Sequence, residues 1–166
     1  MAISRNVRNQ IRARCDYRCV YCGTHEVNTG GELEVEHFQP KSKGGSDELD
    51  NLLYCCSSCN RFKGAYWPTE GSLPLLNPLK EDMGQHIDVA DSGSLLGLSK
   101  QGQFYIELLQ LNRPQLIRAR LVRVRYAELE RLLESNQKLL VVAQQRVQWL
   151  EQELQRLQQE IKRLGG

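Results

Sequence analysis

Two cysteine pairs, Cys19-Val20-Tyr21-Cys22 and Cys56-Ser57-Ser58-Cys59, constrain this chain more than any other feature. Each pair offers two thiolates from one tight turn, and two such turns complete the four soft, tetrahedral ligands of a structural Zn²⁺ site. Cys19, Cys22, Cys56 and Cys59 are therefore the expected zinc ligands. Gly23, directly after the first pair, suits the turn that such a knuckle makes. The 33-residue gap between the pairs is longer than in a compact zinc ribbon, so a further substructure must be built between them. Cys55 adjoins Cys56 and offers an alternative ligand, but the CxxC spacing favours Cys56. Cys15 and Cys55 are expected as buried or unpaired thiols, and His25 as a polar turn residue.

Paired cysteines point to metal where thiols stay reduced and to disulfides where they do not. The chain starts Met1-Ala2-Ile3-Ser4-Arg5, without an apolar run, which reads as the absence of a signal peptide. No stretch approaches 18 apolar residues, so no membrane span is expected. A cytoplasmic protein with metal-bound cysteines is the expectation. With 166 residues the chain fits one ordinary domain and an appendage. Its net charge of +2 does not announce nucleic-acid binding, so a local cluster would have to do that work.

Three regions separate along the chain. Residues 1–66 hold the cysteine pairs. There Ser4 is placed to cap a short helix with Ile3, Val7 and Ile11 on one face. Leu33-Glu34-Val35-Glu36-His37 alternates as a strand does, and Leu52-Leu53-Tyr54 suggests a second strand. Ser57 or Ser58 would cap a helix ending near Gly64. Residues 67–112 start irregularly at Pro68, Pro74 and Pro78. They continue with a hairpin across Asp91-Ser92-Gly93-Ser94 and a short helix after Ser99. Residues 113–166 begin with Pro114, suited to a first helical turn, and contain no glycine before Gly165. Apolar positions there alternate three and four apart from Ala119 to Leu164, interrupted by Asn136, as in a coiled coil. The fold class is α+β: a small strand–loop–strand–helix unit with a four-cysteine site, a small α/β extension, and a long coiled-coil-like helix.

Between the cysteine pairs lie Glu36-His37 and Asn51, and Asn60 follows the second pair. Metal-assisted phosphodiester cleavage needs a base for water, a hard cation for developing charge, and oxygen ligands for that cation. Glu36 and Asn60 supply oxygens suited to Mg²⁺ or Mn²⁺. His37 can accept a proton near neutrality. Neighbours on a strand point to opposite faces, so Glu36 and His37 could converge only where the strand ends, near Pro40.

Residues 15–64 resemble the HNH endonucleases, the ββα-metal or His-Me finger family, in their zinc-knuckle branch. The resemblance rests on Arg18-Cys19-Val20-Tyr21-Cys22-Gly23, on Val35-Glu36-His37-Phe38-Gln39-Pro40-Lys41-Ser42-Lys43-Gly44-Gly45, on Asp50-Asn51-Leu52-Leu53, and on Cys56-Ser57-Ser58-Cys59-Asn60-Arg61-Phe62-Lys63-Gly64. It implies His37 as general base, Glu36 and Asn60 as ligands of the catalytic metal, Asn51 as the residue that orders the loop and the histidine, and Lys63 as a phosphate contact. Asn60 stands where other members carry histidine, which favours hard Mg²⁺ or Mn²⁺ over imidazole-bound metals.

Lys41, Lys43, Arg61 and Lys63 flank this set and are candidates for nucleic-acid binding. Arg5, Arg8, Arg12, Arg14 and Arg18, and Arg113, Arg118, Arg120, Arg123 and Arg125, form two further basic clusters that could neutralise phosphates. The implied activity is divalent-metal-dependent hydrolysis of DNA phosphodiester bonds, with RNA the other substrate class, by nicking or paired nicking as a dimer. The alternatives are a non-catalytic zinc-dependent nucleic-acid-binding or adaptor module, and a nuclease subunit of a larger defence or mobile-element complex. The helix implies a homodimer or a partner protein helix.

Overall fold

A computed structural model describes residues 3–164. It is α+β, and it divides into two compact units, Met1–Arg120 and Leu121–Gly166. Its first helix, α1 (Arg5–Arg14), starts at Ser4, whose side chain accepts a hydrogen bond from the Val7 amide. Capping removes one of the orphan donors of the first turn. Ile11 is fully buried on the inner face, with Ile3 and Val7 packed beside it.

Strand β1 (Glu34–His37) pairs antiparallel with β2 (Leu52–Cys55), setting Glu36 opposite Leu53 and His37 opposite Leu52. All four residues of β2 are buried, and β1 alternates less regularly. The hairpin therefore has β2 on the inside and β1 nearer solvent. Helix α2 (Ser57–Lys63) follows at once. Its N-cap is Cys56, with no side-chain cap bond, rather than Ser57 or Ser58. The chain must turn at Cys56 to bring its thiol beside the other three, and that tertiary demand displaces the serine cap. Gly64 ends α2 with φ of 54°.

The second hairpin pairs β3 (Ile87–Val89) with β4 (Leu95–Gly97), and α3 (Lys100–Leu108) begins after Ser99, whose side chain accepts from the Gly102 amide. Tyr105, Leu109 and Leu111 are buried in one apolar cluster with Ile11, Leu52, Leu53 and Tyr54. Tyr21 meets Tyr105 with ring centroids 6.1 Å apart, and Tyr66 meets Phe104 at 5.1 Å. Residues 67–120 thus share a core with the first hairpin. Helix α4 runs from Pro114 to Leu164, roughly 75 Å at 1.5 Å per residue. Gly165 and Gly166, expected to end it, lie outside the described residues.

Gly102 shows how closely α3 packs on its own hairpin. A Cβ built there would sit 1.9 Å from the His86 carbonyl oxygen. Gly102→Ala is accordingly expected to force a shift of α3 and to cost about 1–3 kcal/mol, the usual range for overpacking. Denaturant unfolding of the zinc-loaded chain checks this; an unchanged midpoint would show that the contact is soft.

Candidate metal centre and HNH cleft

The four sulfurs of Cys19, Cys22, Cys56 and Cys59 lie within 4.8 Å of one another. The Cys22 and Cys56 sulfurs are 3.8 Å apart. Four sulfurs at about 2.3 Å from one Zn²⁺ in a tetrahedron are separated by roughly 3.8 Å, so the cluster fits that ion. Among the described residues it is the one group of three or more His, Cys, Asp or Glu side chains placed to hold a metal. All six cysteines are free thiols. Cys55, the alternative ligand, is fully buried outside the cluster, and its thiol is pushed up first by burial and then by Glu36. Within the cluster the proton demand is uneven: hydrogen bonds from Cys19 lower Cys56 to about 7. Bound Zn²⁺ would supply the positive charge that lets the thiolates coexist.

Each knuckle is tied into the fold. The Val20 amide donates to the Tyr54 carbonyl at 3.0 Å, joining the first knuckle to β2. Cys59 sits in α2. Arg113 places one guanidinium nitrogen 3.7 Å from the Cys59 sulfur and lies 5.2 Å from the Phe62 ring centre. A cation there offsets the charge of the thiolates. His25 is a turn residue, accepting from the Val27 amide through Nδ1.

Beside the cluster, Val35, Glu36, His37, Pro40, Lys41, Asn60 and Lys63 line an open cleft of about 300 Å³. His37 is the last residue of β1. Its Nε2 lies 2.7 Å from Asp47 Oδ1, and Lys41 Nζ lies 2.6 Å from Asp47 Oδ2. Asp47 is held down at about 2, first by its hydrogen bond from Lys41 and then by His37. It is thus a carboxylate at neutral pH and accepts a hydrogen bond from Nε2–H, the tautomer that leaves the acceptor lone pair on Nδ1. Asn51 braces the loop that carries Asp47. Its Oδ1 accepts from the Gln39 amide at 2.8 Å, and its Nδ2 donates to the Gln39 and Ser46 carbonyls at 3.1 and 2.9 Å. Gly45 belongs to the same device, because a Cβ there would lie 1.8 Å from the Gln39 carbonyl oxygen.

Glu36 and Lys63 differ from expectation. The Glu36 carboxylate is buried, accepts a hydrogen bond from the Tyr21 hydroxyl, and lies 3.1 Å from Lys63 Nζ. Burial raises the Glu36 carboxyl, and Lys63 opposes that rise. Lys63, expected on phosphate, is only 2% exposed and donates also to the His37 carbonyl at 2.9 Å. Its side chain points inward because a buried carboxylate needs a cation more than solvent needs another one. Asn60 lines the cleft, but its Nδ2 is bound to Glu34 Oε2 at 2.7 Å, leaving the amide oxygen as its available donor. Glu36 and Asn60, the expected oxygen pair for Mg²⁺ or Mn²⁺, both line the cleft, where the Glu36 carboxylate also has an ammonium and a hydroxyl as partners. Lys41, Lys43 and Arg61 remain exposed near the cleft.

Asp47 and Tyr21 were missed in the sequence. Asp47 sits ten residues from His37 in a loop, with no periodicity to mark it. Tyr21 lies inside the first cysteine pair and reads there as a spacer.

Residues 19–65 match the HNH endonuclease family, which bears out the resemblance drawn from their motifs. The chain is 26% identical over 147 residues to "Septu protein PtuB" of Bacillus mycoides strain KBAB4, covering 69% of this chain and 50% of that protein. It is 30% identical over 129 residues to "Septu protein PtuB" of Bacillus thuringiensis, covering 76% and 48%. A third relative, "Septu protein PtuA" of Bacillus mycoides strain KBAB4, is 28% identical over 105 residues, covering 54% of this chain and 14% of that protein. The chain spans about half the length of the PtuB relatives it matches.

Two outcomes are expected at this site. Purified protein should carry one Zn²⁺ per chain, with chelation or Cys59→Ser unfolding the first unit, because structural zinc binding is folding free energy; metal analysis with circular dichroism reads both. Lys63→Met should leave Glu36 buried without its cation and cost about 3–5 kcal/mol in chemical unfolding, whereas Lys41→Met, at the surface, should cost less than about 1 kcal/mol.

Proposed function

We propose that this chain is a phosphodiester hydrolase of the HNH type, acting on DNA in the cytoplasm, with RNA as the other substrate class. The observation that carries the reading is the His37–Asp47 pair on a loop braced by Asn51, opening into a cleft that Asn60 also lines. Asp47 fixes the ring and its tautomer. His37 Nδ1 then takes a proton from a water aimed at phosphorus. Lys41, Lys43 and Arg61 supply the phosphate contacts that hold a strand across the cleft. A requirement for Mg²⁺ or Mn²⁺ belongs to the proposal, with Asn60 as the oxygen donor left open. Glu36, the second expected donor, lines the same cleft with Lys63 and Tyr21 as partners.

The engagement of Glu36 also favours a second reading, a zinc-dependent nucleic-acid-binding or adaptor module without catalysis. The relatives bear on partners: they carry two different names within one Septu set, PtuA and PtuB. That supports the reading as a nuclease subunit of a larger defence or mobile-element complex, with α4 as the docking element for a second copy or a partner helix. Among the described residues, no helix is long and apolar enough to cross a membrane.

Nicking of supercoiled plasmid with and without Mg²⁺ or Mn²⁺ separates these readings. His37→Ala is expected to lower cleavage at least ~10²-fold, the lower range for a lost general base, with zinc content unchanged. Asp47→Asn should lower kcat with KM unaltered, and Asp47→Glu should restore part of it, because Asp47 positions the base and does not touch substrate. Cleavage by His37→Ala at the wild-type rate would overturn the assignment; binding without cleavage under every metal condition would favour the adaptor.

A further inference from the structure

From Val122 to Leu164, α4 carries thirteen seam positions spaced alternately four and three. Eleven of them, all but Asn136 and Ala143, are large apolar side chains. Each of these eleven is exposed, from 43% at Val122 to 89% at Leu164. At roughly 80 Å² for each large apolar side chain, covering this stripe removes on the order of 900 Å² per copy, about the area per partner of a stable interface. The face is thus long enough and apolar enough to be closed by one other helix of equal length.

We infer that α4 pairs with α4 of a second copy as a parallel, in-register, two-stranded coiled coil. This rests on the reading of α4 as a docking element and commits it to one occupant. Three observations choose that occupant. First, Asn136 falls on the seam. In a parallel, in-register pair it meets its own counterpart, so the two amides can bond to each other and a shifted register would bury each against an apolar side chain. Second, the flanking charges match a second copy in that register. Arg125 faces Glu130 of the second copy, and Arg146 faces Glu151 of the second copy, each twice by symmetry. Glu130 and Glu151 have no ion pair within their own helix, and Arg146 is engaged only over the Trp149 ring, 4.3 Å from its centre. The like-charged pair, Arg118 with Arg123 of the second copy, falls at the N-terminal end of the helix. Third, the fully overlapped antiparallel arrangement is worse at the same positions. It sets Asn136 against Val147, leaving the amide without a partner, and Glu130 against Glu151. Its compensating pair, Arg125 with Glu160, draws on a carboxylate that already has Arg156 at 3.5 Å.

A parallel pair puts both chains' residues 122 at one end of the rod. Two HNH units then start from the same point, the arrangement that paired nicks in one duplex require.

The test is disulfide trapping in the full-length, zinc-loaded chain. Leu157→Cys lies on the seam and far from the middle of the helix. Mild oxidation should give a covalent dimer of Leu157→Cys, whereas wild type, whose six thiols are buried, and Val124→Cys, on the outer face, should give none. Light scattering should report a dimer, and Asn136→Leu should broaden that single species into dimers and larger assemblies. A monomer at micromolar concentration overturns self-association. A dimer without trapping at Leu157→Cys overturns the parallel register, and a trimer overturns the two-stranded state. Each outcome is independent of plasmid nicking, so a failed coil and a failed nuclease are separately visible.

Discussion

Four sulfurs within 4.8 Å of one another organise everything in the first unit. Cys19 and Cys22 come from the turn after α1, Cys56 from the junction of β2 and α2, and Cys59 from the first turn and a half of α2. A single ion bound there would fix the angle between the hairpin and α2. That angle puts Asn60, one residue after a ligand, on the same cleft as His37, the last residue of β1. An ion in the sulfur cluster would therefore set the geometry of the residues that line the cleft. With few aromatic residues, 7% of the chain, the apolar core alone leaves little margin, and a metal bound by the four cysteines would supply part of the folding free energy.

A second constraint is the inward placement of charge. Glu36 with Lys63 and Tyr21, and Arg12 with Glu26 and Tyr54, are polar clusters closed from within. The Arg12 guanidinium, by its hydrogen bonds, holds the Glu26 carboxyl down at about 2. Such groups are costly to bury and more costly to orphan, so they specify one arrangement more than they add net stability. They also explain why the basic clusters of the sequence overstate the nucleic-acid surface. Arg8 binds the Leu33 carbonyl, Arg14 the carbonyls of Leu49 and Leu52, Arg113 the Cys59 sulfur, and Arg120 the carbonyls of Gly93 and Leu111. Much of the apparent phosphate-binding charge holds the backbone together instead.

The two units obey different rules. The first closes its own core, and its polar groups find partners within the chain. The second, Leu121–Gly166, presents leucines along its length to solvent. An apolar stripe of that extent is the kind of face that marks an interaction site. The first unit buries its apolar side chains within itself, whereas the second leaves its apolar stripe exposed.

Local pattern determined much of this protein. The CxxC spacing specified the four-sulfur cluster, because two tight turns leave little freedom in how thiolates converge. The cap at Ser4, the alternation at Glu34–His37, the turn residues around Gly93 and the three–four spacing after Pro114 located α1, β1, the second hairpin and α4, since each depends on neighbours within a few residues. Tertiary structure decided the rest. It moved the α2 cap from serine to Cys56, turned Lys63 inward onto Glu36, brought Asp47 to His37, and spent the arginines on carbonyls. Those contacts join residues far apart in the chain, and burial fixes their partners: a carboxylate removed from water takes whichever cation the fold brings within reach, and no local pattern records which one that is.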